Sequence, residues 1–269
     1  MTVYSHFTRR RFRRRWPWIV VIALLLLLIL PLAASFALYA ARGGSLTGDW
    51  ARASRATTGQ APLPAKTPEA VVQVYAARAF GWRGVFGVHM WFALKPENAA
   101  EYTRAEVMGF GVPNGARAVR VAPGVPDGQW FGNVPEVVAE WRGHDAGILI
   151  PRILAAAEQY PDAGRYTIWP GPNSNSFVAH VARSLPEMQL SLPSNAVGKD
   201  YLGPRKVFAR APSDSGWQVS LWGVFGLMLA RDEGVELNLF GFVIGVDLND
   251  RAIKLPGFGN IPLYPARAQ

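Results

Sequence analysis

The chain contains no cysteine among its 269 residues. This excludes disulfides, thiolate nucleophiles and Cys-based zinc or iron–sulfur centres, and leaves the redox compartment open. Charge is also scarce: Asp, Glu, Lys and Arg make up 17% of the residues, against roughly 25% in soluble domains. Half of the residues are hydrophobic, so disorder is excluded and a membrane-embedded part is expected. Acidic residues are missing altogether from positions 1–48, which hold seven Arg. The net charge of +9 therefore shrinks to +2 over the other 221 residues, with 21 basic and 19 acidic side chains. A body so close to neutral argues against a nucleic-acid partner.

The N-terminus carries the plainest signal. Arg9, Arg10, Arg11, Arg13, Arg14 and Arg15 precede an uncharged, Leu-rich run over 16–41. At about 1.5 Å per residue that run is long enough to cross a bilayer. The expected organisation is a basic cytoplasmic tail (1–16), a transmembrane helix (17–41), a flexible linker (42–66) and a globular extracytoplasmic domain (67–265). Clustered Arg on the near side keeps the tail in the cytoplasm. In a bacterium the domain then faces the periplasm from the inner membrane. Trp16, Trp18 and Tyr39 stand at the two edges of the run, where amphipathic rings prefer the headgroups. A cleaved export signal is the alternative, since Thr8–Phe12 approximates a twin-arginine motif. The length of the run favours a retained anchor, because secretory apolar regions span only about 7–15 residues.

Within the domain, 70–77 and 85–94 are rich in Val, Tyr, Phe and Trp and predict two strands. Residues 101–111 and 116–121 predict two more, separated by the turn Pro113-Asn114-Gly115. Residues 134–141 and 145–160 read as helices, 165–169 as a short strand, and 174–185 as an amphipathic helix with Phe177, Val178, Val181 and Leu185 on one face. The order favours a mixed α+β domain. Two long apolar segments follow at 217–230 and 235–248, joined by Arg231-Asp232-Glu233-Gly234, and read as an apolar β-hairpin. Such a hairpin is either buried on both faces or rests on the bilayer to which the chain is tethered.

Candidate chemistry gathers at Asn173, Ser174 and Ser176, which open the 174–185 helix. A helix start offers free N–H groups and a partial positive charge, which suit a nucleophile and its oxyanion. The same residue types are also ordinary N-caps. His89, on the same strand face as Trp91, is the candidate general base, or else a hydrogen-bonded core histidine. His180 follows Ser176 by four residues and forms a rival pair on one helical face. His144 reads as a solvated residue at a helix start, and His6 lies in the tail. No H-x-x-x-H or H-E-x-x-H spacing is present, so no metal or other cofactor is expected.

The kernels VVQVYAARAFGWRGVFGVHMW, WPGPNSNSF and GKDYLGPR, within about 70–259, resemble the bacterial membrane-protein family called domain of unknown function 3750, which brings no established activity. More distantly, a strand His followed by N-x-x-x-F at a helix start is similar to circularly permuted papain-like enzymes, the NlpC-like amidases and the lecithin retinol acyltransferase group. That resemblance implies a papain-like sheet and helix, with Asn173 and Phe177 matching the motif, His89 as base and Ser174 in place of the thiolate. Glu106 is the acid nominated to orient His89. Two functions follow as expectations. One is a Ser-dependent hydrolase or acyltransferase acting on an amide or ester of the envelope. The other is a non-catalytic protein that binds lipid, peptide or a membrane partner.

Overall fold

The computed structural model describes residues 5–44 and 46–264, with side chains from Trp16 onward. The tail arginines and His6 thus lie outside the described side chains. Helix α1 (Ser5–Ala41) is a single helix, and its stretch Trp16–Ala41 is long and apolar enough to cross a membrane. Leu24, Leu28, Ser35 and Tyr39 form a half-buried to buried stripe along it, spaced to share one face. The Ser35 hydroxyl donates to the carbonyls of Val85 (2.7 Å) and Gly257 (3.3 Å), and Tyr39 donates to Gly81 (3.3 Å). The helix is thereby fastened to the domain.

Between α1 and the first strand, the segment expected to be a linker makes side-chain contacts of its own. Thr57, Thr58 and the Gln60 backbone all donate to the Asp127 carboxylate. Strands β1 (Val71–Arg78), β2 (Val88–Lys95), β3 (Thr103–Val107), β4 (Val119–Pro123) and β5 (Glu136–Arg142) form an antiparallel sheet in the order β4-β3-β2-β1-β5. β1 is buried over nearly its whole length, which explains its unbroken run VVQVYAA. Within that run Gln73 accepts from the Tyr75 hydroxyl at 2.8 Å and donates to Glu140.

Two expectations are corrected here. Residues 134–141 are not a helix: β5 pairs antiparallel with β1. The helix-favouring Glu and Ala of that segment yield to the unpaired backbone edge that β1 would otherwise expose. Residues 165–169 are not a strand, and Thr167 instead bonds the Pro172 carbonyl across an irregular loop.

Helices α2 (Gly143–Glu158) and α3 (Ser174–Ser184) cover one face of this sheet. Their Leu149, Ile153, Phe177 and Val181 pack with Val72, Val74, Met90 and Phe92 into the main core. The other face carries a smaller cluster around Tyr75, Trp91 and Tyr102.

The C-terminal third also departs from expectation. Each apolar segment is itself a hairpin: β7 (Gly216–Leu221) with β8 (Phe225–Ala230), and β9 (Gly234–Leu239) with β10 (Phe242–Asp247). With β6 (Phe208–Arg210), β11 (Ala252–Leu255) and β12 (Gly259–Pro262) they make a seven-stranded antiparallel sheet. Gly223 and Gly241, in the middle of the two segments, sit at positive φ in the turns, where a side chain would be strained.

The alternation in this sheet is inverted. Gln218, Ser220, Glu236, Asn238 and Lys254 point inward and are buried. Trp217, Val219, Leu227, Leu229 and Val235 point outward and are exposed. The inward polar groups satisfy one another. Glu236 lies between the ammonium groups of Lys199 and Lys254, the latter at 2.7 Å, and Asp200 accepts from Gln218 (2.6 Å) and Asn238 (2.7 Å). The sheet is therefore buried on one face only.

Candidate functional site

The loop leading to α3 and the first turn of that helix set one wall of the site. Asn173 is the N-cap: its Oδ1 accepts from the N–H groups of Asn175 (3.0 Å) and Ser176 (3.1 Å), and its own N–H donates to the Ser176 hydroxyl (2.7 Å). This reciprocal capping box satisfies three of the four free donors of a helix start. The fourth is the N–H of Ser174 itself, which makes no hydrogen bond among the described residues. Asn173 Nδ2 donates in turn to Ile168 and Val197 carbonyls, each at 3.0 Å, so its side chain is fully engaged.

Ser176 is equally engaged. Its hydroxyl donates to the Asn173 carbonyl (2.9 Å) and lies 2.9 Å from the Tyr160 hydroxyl. The expected Ser176–His180 pair does not form. The His180 ring instead packs edge-on to Tyr160 at 5.2 Å. Burial pushes its pKa down.

His89 and Glu106 do meet. Nε2 of His89 lies 3.0 Å from Glu106 Oε2, and the same oxygen accepts from Arg104 Nη2 at 2.9 Å. Burial alone would raise the Glu106 pKa, but the His89 hydrogen bond and the Arg104 charge hold it below its ordinary value. Burial also lowers the His89 pKa, and the opposing pull of Glu106 does not restore it. His89 is therefore neutral at neutral pH. Against an ionised carboxylate Nε2 must carry the proton, which leaves Nδ1 as a lone pair. Trp130 stacks flat on the imidazole, with centroids 3.5 Å apart. Trp91 shares the His89 face, as expected, with ring centroids 5.7 Å apart. Its own role is support: the indole stacks on Tyr75 (5.5 Å), lies under the Arg104 guanidinium (4.4 Å) and donates to the Pro126 carbonyl (2.7 Å).

Ser174, Asn175 and His89 all line a cavity of about 800 Å³. Most of its remaining wall is aromatic, including Phe80, Phe86, Trp130, Phe131, Tyr166 and Phe242. Exposed Trp82, Phe110, Trp169 and Phe240 also border it. Trp82 and Arg83 belong to the 3₁₀ turn Gly81–Val85 to which α1 is fastened. Asn175 donates through Nδ2 to the carbonyls of Val88 (2.9 Å) and Val197 (2.8 Å), and its buried Oδ1 has no partner.

No hydrogen bond joins Ser174 to His89. The reason lies in strand alternation. α3 packs through Phe177 on Phe92 (6.2 Å), whereas His89 projects with Trp91 from the opposite face. The two walls meet only around the start of β2, where Asn175 holds Val88. Sequence reasoning passed over Arg104, Trp130 and Asn175. The first was legible as a basic residue two positions before Glu106 on the same strand face, while Trp130, in a loop, carried no periodic signal. Among the described residues no cluster of three His, Asp or Glu side chains is placed to hold a metal.

Fold and site together define a mixed helix-and-sheet domain that carries an aromatic cavity behind one long apolar N-terminal helix. Residues 69–201 match the family described as "Protein of unknown function (DUF3750)". The match ends before β6, so the inverted sheet lies outside it. No curated protein and no solved structure matches the chain.

Proposed function

We propose that this is a membrane-anchored protein of the bacterial envelope that binds a molecule with a long apolar chain, foremost a lipid, in the aromatic cavity. The cavity carries the reading. Its volume of about 800 Å³ falls in the range of small-molecule sites, roughly 300–1,000 Å³, and apolar walls with a few convergent polar groups are their usual make-up. The polar groups here are Ser174, Asn175 and the His89–Glu106 couple. Because the helix is fastened to a turn that lines the cavity, a lipid in the surrounding leaflet reaches it without crossing water. Filling the cavity tests this: Ala79, on its wall, is replaced by Trp in the full chain. A doxyl-labelled stearate should quench tryptophan fluorescence in the wild type and bind at least about tenfold more weakly to the variant, a loss of roughly 1.4 kcal/mol. Equal quenching in both would sink the proposal.

A second reading is favoured by the unengaged Ser174 N–H and the free Nδ1 of His89, which border the same cavity from two different walls. The domain is then a permuted papain-like shell run as a Ser-dependent hydrolase or acyltransferase on an ester or amide. Ser174 Oγ attacks the carbonyl carbon while His89 Nδ1, which makes no direct hydrogen bond to it, takes its proton through one water in the cavity, and the Ser174 N–H holds the oxyanion. His89 returns the proton to the departing alcohol or amine, and water or a second acceptor releases the acyl group. Glu106 holds the ring and stabilises its charged form. A fluorophosphonate should label the wild type and not Ser174→Ala. Absent labelling in both removes the catalytic reading and leaves the binding one intact.

A further inference from the structure

We infer that the outward face of the seven-stranded sheet is a lipid-contact surface, seated in the leaflet of the membrane that α1 crosses. The face is built by register. Trp217, Val219 and Leu221 of β7 stand opposite Leu229, Leu227 and Phe225 of β8, and Val235, Leu237 and Leu239 of β9 continue the same rows toward β10. The four six-residue strands β7–β10, about 4.8 Å apart and some 20 Å long, give a face on the order of 400 Å². That is in the range of the largest apolar patch on a typical monomer, which is often functional. Charges stay at its margin: Arg210 in edge strand β6, Arg231 and Asp232 in the β8–β9 turn, and Asp250 and Arg251 in the β10–β11 turn.

The choice of lipid over a second protein rests on continuity with the helix. α1 packs against β10 and β11 of this very sheet, and its contact stripe runs from Leu24 to Tyr39, about 22 Å of helix. The whole stripe lies within the apolar stretch Trp16–Ala41. Whatever depth those residues occupy, the adjoining sheet occupies too. A water-facing sheet there would turn polar side chains outward and apolar ones inward. This sheet does the reverse, and its buried ion network shows that the inversion extends through both faces.

The inference is independent of any chemistry at Ser174 and depends only on α1 crossing the bilayer. The chain's lack of cysteine makes it directly testable. Single cysteines replace Val219, Leu227, Leu229 or Val235 in the full-length protein. Each carries a nitroxide, and each variant is reconstituted in nanodiscs of phosphatidylethanolamine and phosphatidylglycerol. Leu30→Cys on the helix serves as the lipid reference and exposed Glu97→Cys, after β2, as the water reference. The four sheet labels should match the helix reference in oxygen over nickel-chelate accessibility and exceed the water reference severalfold. Sheet labels that match Glu97 would overturn the inference, as would labels shielded from both colliders, which signify a second copy or another protein on the face. A water-accessible label at Leu30 would instead remove the anchor itself, a different failure. In the chain without labels, brominated phospholipid should quench fluorescence, and Trp217→Phe should remove a measurable part of that quenching. An unchanged signal counts against the inference.

Discussion

At neutral pH the Glu106 carboxylate is ionised and accepts the hydrogen bond of the His89 Nε2–H, so one residue on β3 decides which nitrogen of a residue on β2 remains basic. The His89 pKa lies below 6.5 and that of Glu106 below 4.5 in the folded chain. Both stabilise the fold most at pH above their unfolded values. The His89 contribution is lost as pH falls below about 6.5, and the Glu106 contribution as it falls below about 4.5. The melting temperature should therefore drop from pH 7 to pH 5, and His89→Gln should flatten that slope. An unaltered slope would mean that the imidazole titrates alike in both states. Glu106→Gln strands the Arg104 guanidinium and should cost about 2–3 kcal/mol in denaturant unfolding. If Ser174 is a nucleophile, the same variant should slow fluorophosphonate labelling, and wild-type labelling should persist down to a pH below 6.5 because His89 stays neutral there. The His–Glu couple was legible from residue types and strand order. The separation of Ser174 from His89 was not, since which sheet face a helix covers depends on packing that no local pattern encodes.

Elements followed the sequence where periodicity was strong. The 174–185 prediction and α3 agree to within a residue, because an Asn–Ser cap and an apolar stripe act together. The 145–160 prediction and α2 likewise coincide within two residues at each end. β5 escaped notice, since Glu136, Val137, Val138 and Ala139 fit either structure until the free edge of β1 chooses. The doubled hairpins were hidden because Trp222 and Phe240, both at positive φ, occupy turn positions while looking like core residues. Their consequence is a charged interior. Burial would raise the Glu236 pKa, but Lys199 and Lys254 hold it below 4.5, so the cluster stabilises above that pH and weakens as acid protonates it. Glu236→Gln leaves two buried ammonium groups without their shared carboxylate and should cost about 3–5 kcal/mol in urea or thermal unfolding at pH 7. A loss under 1 kcal/mol would mean that Asp247, 3.6 Å from Lys254, or Asp200 takes over.

For the whole molecule, composition led to the expectation of a membrane-embedded part, and one helix long and apolar enough to cross a membrane is present. Sidedness is a separate matter, and the proposed topology takes it from the arginines before the run. A phosphatase reporter fused after Gln269 should be active outside the cytoplasm, and a silent fusion beside an active cytoplasmic reporter would reverse the proposed topology.

The inverted sheet has a practical corollary. Deleting α1 is the customary way to obtain a water-soluble fragment of an anchored protein, yet a chain begun at Thr67 would still display Trp217, Leu227 and Leu229 to solvent. Such a fragment should partition into detergent micelles or precipitate, and milligram amounts in plain buffer would be won only by repainting those outward positions with Ser, Thr or Lys.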